Sequence, residues 1–199
     1  MRRIVSTLAL VAALLVVTLQ PVAGAPPVRE GGTSLSAIGS TSVEADGSLV
    51  FMGIELYTDG IQGQVHVSRA TYAVHGDRMR LLAEEYGTVL IDASLLTVGD
   101  DLSVLVLPTV MADLWDCDED GCTPTETVAV AVTFTATGPL TTAKERGTYR
   151  SEWCTYRYAA TYEDRPAVMD LLFDGVESSY LEAGIHRETT SVQIRGCAA

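Results

Sequence analysis

Val128–Thr135 reads V-A-V-A-V-T-F-T. Val128, Val130, Val132 and Phe134 occupy every second position, with Ala129, Ala131, Thr133 and Thr135 between them. An extended chain points successive side chains to opposite faces, so this stretch is a strand with one apolar face. The same period recurs downstream. Cys154, Tyr156, Tyr158, Ala160 and Tyr162 share one face, and Trp153, Thr155, Arg157 and Thr161 share the other. Further on, Thr190, Val192 and Ile194 alternate with Ser191, Gln193 and Arg195.

Upstream, Ser48–Thr58, Gln64–Val74, Arg78–Glu84, Thr88–Ala93 and Leu102–Leu107 read as further strands. The stretch around Leu105 is apolar on both faces, as a strand covered on both sides would be. In the Gln64–Val74 strand the Val65/Val67 face gives way to an Ala70/Tyr72/Val74 face, which predicts a bulge there. Turn signals separate the strands at Asp46-Gly47, Asp59-Gly60, Gly76-Asp77 and Asp174-Gly175. Short strands at such spacing predict an all-β fold, an antiparallel β-sandwich or barrel-like domain. Only Arg80–Tyr86 and Ser178–Ile185 have the makings of a short helix. Residues 25–42, rich in Gly, Ser, Thr and Pro, read as a flexible leader, although the part around Leu35 has the pattern to pair at an edge. A single β domain over 43–199 is expected to follow. The acidic stretch after Trp115 is the one place where halves 43–115 and 125–199 would divide.

Arg2 and Arg3 precede an apolar run from Ile4 to Leu19, then Pro21 and the small residues Val22-Ala23-Gly24-Ala25. Charge, apolar core, breaker and small residues in that order read as a secretory signal peptide over residues 1–24. Cleavage after Gly24 keeps Pro26 out of the first mature position. The expected location is therefore extracellular, with no membrane attachment after cleavage. The chain carries 13 basic and 26 acidic residues, a formal charge of −13. Loss of Arg2 and Arg3 leaves 11 basic residues against 26 acidic ones, or −15. Such a surface argues against nucleic acid and anionic membranes, and for solubility or a cationic partner.

Four cysteines suit an oxidising compartment and allow three pairings. Cys117 and Cys122 are close enough to bridge locally, which leaves Cys154 with Cys197. Chain entropy assigns about 2 kcal/mol to the small loop and about 4 kcal/mol to the large one.

Asp116, Asp118 and Asp120 with Gly121 spell D-x-D-x-D-G, carboxylates that a tight turn can bring around calcium. The twelfth position holds Thr127 where an EF-hand needs a bidentate Glu, and no helix pattern flanks the loop. A solvated hairpin tip turning on Asp120-Gly121 is the expectation, with no cofactor required and calcium the one ion to test. Neither G-x-S-x-G nor H-E-x-x-H occurs, and His66, His75 and His186 are scattered. Trp153, beside Arg157 on the face opposite Cys154, is the best binding candidate, for carbohydrate or peptide. The residues thus point to a secreted, non-enzymatic β module that binds a ligand or serves the cell surface. The alternative is a secreted carboxylate-dependent hydrolase, which would require carboxylates or a His gathered in one deep cleft.

D-C-D-E-D-G-C at Asp116–Cys122, the strand V-A-V-A-V-T-F-T-A-T-G from Val128, W-C-T-Y-R-Y from Trp153 and D-R-P-A-V from Asp164 carry a resemblance. Together they resemble uncharacterised secreted β-rich proteins of high-GC Gram-positive bacteria. The resemblance covers the C-terminal half and implies secretion and a β fold, with no activity attached.

Overall fold

A computed structural model describes residues 28–45, 47–76, 78–119 and 121–195. The expected signal peptide, Asp120 and Cys197 lie outside the described residues. The strands are β1 (Val28–Ala45), β2 (Ser48–Thr58), β3 (Gln62–His75), β4 (Arg78–Asp92), β5 (Thr97–Val98), β6 (Val104–Asp118), β7 (Gly121–Ala136), β8 (Thr141–Arg150), β9 (Thr155–Phe173) and β10 (Val176–Arg195). The all-β expectation holds. Two 3-10 turns, Ala93–Leu95 and Asp100–Leu102, are the helical pieces among the described residues.

Every pairing is antiparallel, and eight strands close on themselves. β1 pairs β2, then β3, β4, β6, β7, β9 and β10 follow in order, and β10 returns to β1. The seam between β4 and β6 is the shortest, Glu85 opposite Asp116 and Tyr86 opposite Trp115. A closed ring of this kind leaves no free edge along its wall. Its interior is the core. Val128, Val130, Val132 and Phe134 are all buried there, as their alternation requires. Met52, Ile54 and Leu56 of β2 and Met169, Leu171 and Phe173 of β9 face them. Each such side chain contributes about 1.5–3 kcal/mol by leaving water.

Several expectations need correction. The Gly/Ser-rich stretch is not a leader: β1 runs through it and lies between β10 and β2 in the ring. Its inward residues, Leu35, Ala37, Gly39 and Thr41, are mostly small. A Cβ at Gly39 would sit 2.4 Å from the Met169 sulfur, so β9 fills the room that β1 leaves. Arg80–Tyr86 and Ser178–Ile185 are strand, within β4 and β10. Arg78–Glu84 and Thr88–Ala93 are joined in one strand, β4. The bulge lies between β3 and β4 but on the other partner: Thr71 opposes Ala83 and Tyr72 opposes Leu81, so the extra residue is Leu82. The acidic stretch is a hairpin inside the same sheet, closing where Asp118 pairs with Gly121. Its turn therefore begins at Glu119, one residue earlier than expected. Cys117 and Cys122 are opposite each other across it and form a disulfide, Cα to Cα 4.0 Å.

One end of the barrel is plugged. Leu102 is fully buried with φ at +60°, and Asp101 before it has φ at +52°. Arg165 holds this strained turn by donating to the Asp101 carbonyl at 2.8 Å and the Gly138 carbonyl at 3.0 Å. Beyond the plug the remaining strands end, but β8, β9, β10 and the start of β1 run on as a four-stranded wing.

Candidate functional site

The wing follows from register. β8 pairs β9 from Thr141↔Asp164 to Arg150↔Thr155, and β10 pairs the same stretch of β9 from its other side, out to Arg195↔Thr155. No register shift interrupts either ladder here, so directly opposite residues share a face. Odd-numbered residues of β9 and β10 point into the barrel at Met169, Leu171 and Ile185. Past the plug the same parity continues into the open, where no opposite wall remains. The inner face therefore turns polar, at the ion pair between Arg187 and Glu163, 2.6 Å.

This face gathers Lys144, Arg146 and Arg150 from β8, Arg157 from β9, and Arg187 and Arg195 from β10. They are six of the eleven basic residues that follow the expected signal peptide. On these three strands the face carries one acid, Glu163. All of the six except Arg187 lack an ion-pair partner among the described residues. Like charges at this spacing repel, and their solvation alone keeps the cost small. A groove of about 730 Å³ lies across the face, lined by Arg146, Thr148, Arg157, Ser191 and Gln193 with Ala159 at its floor. Its donors are two guanidinium groups, two hydroxyls and an amide.

The opposite face has different chemistry. Tyr149, Tyr156, Tyr158 and Tyr162 lie there with Glu145, Asp164 and Glu188. A Cβ at Gly147 would sit 2.1 Å from the Tyr158 ring, so the tyrosine covers the glycine. The Tyr158 hydroxyl donates to Glu145 Oε1 at 2.7 Å. That hydrogen bond, with the negative charge behind it, pushes the phenol pKa up. His186 Nδ1 lies 2.6 Å from Asp164 Oδ1, and its ring stacks on Tyr162. The tyrosines cover the outside of the wing.

Of the residues singled out from sequence, Arg157 lines the basic groove and Trp153 stands in the β8–β9 loop, 62% exposed. The loop is set by Ser151, whose hydroxyl accepts from the Cys154 amide at 2.9 Å. Cys154 is not a free thiol. Arg146 escaped sequence reading because β8 has no apolar alternation to reveal it as a strand, while Ser191 and Gln193 were legible as one face of a strand whose neighbours only the register supplies. Asp116 and Asp118 lie on the β6–β7 hairpin at the far end of the barrel, and Asp118 Oδ1 already accepts from the Gly121 amide at 3.1 Å. Among the described residues no three His, Cys, Asp or Glu side chains are placed to hold a metal ion. His75 ends β3, exposed, while His66 lies on the outer wall with Nδ1 2.9 Å from Thr88 Oγ1.

A second groove, about 580 Å³, runs over that outer wall. Gly53 lowers its floor, since a Cβ there would meet Ser68 Oγ at 2.6 Å. Glu55, His66, Tyr86 and Glu182 border it. It is open to solvent and not a deep cleft. Comparison with family models, curated proteins and solved structures finds no match to this chain.

Proposed function

We propose that this protein is an extracellular, non-enzymatic binding module that holds an anionic ligand in the groove between β8, β9 and β10. One observation carries the reading: five cations without carboxylate partners among the described residues, set around polar donors on a single face of an acidic protein. Net charge is a sum and hides this face. A guanidinium held on a strand recognises carboxylate, sulfate or phosphate through paired hydrogen bonds, and two of them border this groove. The Thr148 and Ser191 hydroxyls have no histidine or carboxylate in the groove's lining to act as their general base, which favours binding over chemistry. Export through a signal peptide over residues 1–24 and a second disulfide, Cys154–Cys197, belong to the same proposal. The register supports the latter, because Thr155 pairs with Arg195 and the two cysteines flank that pair in sequence.

The test is titration with sulfate, followed by amide shifts of β8–β10 and by Trp153 fluorescence in a Trp115→Phe background. Saturable change that sodium chloride at equal ionic strength does not reproduce is the expected result. Arg157→Ala should weaken it at least tenfold, and Arg78→Ala, on the far hairpin, should not. Identical responses to sulfate and chloride would remove the site. The hydrolase reading rests on Glu55, Glu182 and His66 bordering one groove. It requires that Glu55→Gln abolish release of reducing ends or amines from a polymer panel, and no release by the unaltered protein would end it.

A further inference from the structure

Resting on that reading, we infer that the groove's ligand is a linear acidic polysaccharide lying along β8, its carboxylates or sulfates meeting a row of cations. The row comes from register. Lys144 and Arg146 are successive residues of the inner face of β8. Arg157 stands opposite Thr148 at the next level, and Arg150 occupies the one after. One cation therefore recurs at each of four levels. Levels are two residues apart, about 6.8 Å, so the row is about 20 Å long. A single small anion engages one or two levels, whereas a polymer of repeating charge engages all four at one cost in lost translational freedom.

The rest of the face selects the polymer. Thr148, Ser191 and Gln193 border the groove and offer hydroxyl and amide groups, partners for sugar hydroxyls. Trp153, exposed in the loop that ends the row, has a flat apolar face for a sugar ring. Single-stranded nucleic acid needs aromatic platforms beside its phosphates. The tyrosines of the wing sit on the other side of the sheet, so Trp153 at the end of the row is one platform where successive bases along the cations would need several. Anionic bilayers meet a chain with a formal charge of −13, and six cations on one wing do not offset that charge over a flat surface. Among the described residues β8 also has no neighbour on its second side. A polymer longer than the row therefore leaves the wing without obstruction.

The experiment uses the purified protein with its disulfides oxidised, and galacturonate oligomers of two to ten residues. Affinity should rise at least tenfold from the dimer to the oligomer that spans about 20 Å, then level off. Raising sodium chloride from 50 to 200 mM should weaken the long oligomers about tenfold or more and the dimer far less. Arg146→Glu with Arg157→Glu should abolish the length dependence. Both side chains are exposed and without ion-pair partners, and an unchanged melting temperature will show that the fold persists. Arg78→Glu with Arg80→Glu, on the far hairpin, should leave binding within twofold. Affinity independent of length, with sulfate still bound at Arg157, would overturn the polymer and spare the binding module. Loss of both would overturn both. Equal or tighter binding of an oligodeoxynucleotide of matched charge, or of phosphatidylglycerol vesicles, would overturn the polysaccharide as ligand class.

Discussion

Arg69 ties three strands together on the inner face at the far end of the barrel, where it has the inward parity of Val65 and Val67 and lies opposite the buried Met52. Its Nε donates to Glu85 Oε2 at 2.7 Å, and its Nη2 reaches both Glu85 on β4 and Glu126 on β7. Burial alone would lower its pKa; the hydrogen bonds it donates to Glu85 and Glu126 outweigh that and hold it above the ordinary value. The β4–β6 seam beside it is only two residue pairs long, so this cluster supports the weakest part of the ring. Arg69→Ala leaves Glu85 buried without its partner and should cost about 3 kcal/mol in urea unfolding, the low end for a broken buried pair because Arg69 is partly hydrated. Asp59 works at a turn instead. Its Oδ1 accepts from the Ile61 and Gln62 amides at 2.9 Å, and those bonds lower its pKa. A lowered carboxylate stabilises the fold above its unfolded pKa and loses that contribution as pH falls through the folded value. Asp59→Asn keeps the turn geometry without the titration, so its melting temperature should fall less between pH 5 and pH 2 than that of the unaltered protein.

At the scale of elements, the β6–β7 hairpin and the wing are opposites. The hairpin collects Asp113, Asp116, Asp118 and Glu119 at the far end of the barrel, and Cys117–Cys122 braces it against their repulsion. Asp118 spends one oxygen on the Gly121 amide, which suits a hairpin cap better than a calcium ligand. Calcium and sodium chloride at equal ionic strength should therefore shift the melting temperature alike, because screening does not distinguish ions as coordination does. A calcium-specific rise that Asp118→Ala removes would reverse this reading. The wing has charge of the other sign and a free edge at β8. Lys144, Glu145, Arg146 and Arg150 line that strand, and charged side chains are how an exposed edge avoids pairing with another chain.

Across the whole molecule, β9 and β10 are the longest strands and serve two structures at once. Their far halves close the barrel and their near halves carry the wing. The wing has no core of its own, so whatever fixes its tip matters. A Cys154–Cys197 bridge would tie the β8–β9 loop to the C-terminal segment. Peptide mapping of the oxidised protein should recover that pair, and Cys154→Ser should cost about 4 kcal/mol by the loop-closure argument. A loss near zero would mean that the wing is held by its ladders alone. Export makes its own forecast: protein recovered from culture medium should begin at Ala25, and full-length chain retained with membranes would contradict it.

What short range controls could be read along the chain. Alternation at Val128–Phe134 set a strand and its buried face, glycine after aspartate marked hairpins, and two cysteines five residues apart found each other. β1 and β8 were illegible for opposite reasons. The inward positions of β1 are small because Met169 fills the space beneath them, so its apolar signal is weak. β8 buries neither face and has no apolar signal to give. Only the tertiary structure closed the ring, since that depends on β10 meeting β1 across nearly the whole chain. Only register made a site of Arg146, Arg157 and Gln193, residues on three strands whose common face is fixed by two hairpins. Composition records how many charges a chain has; folding decides which of them stand together.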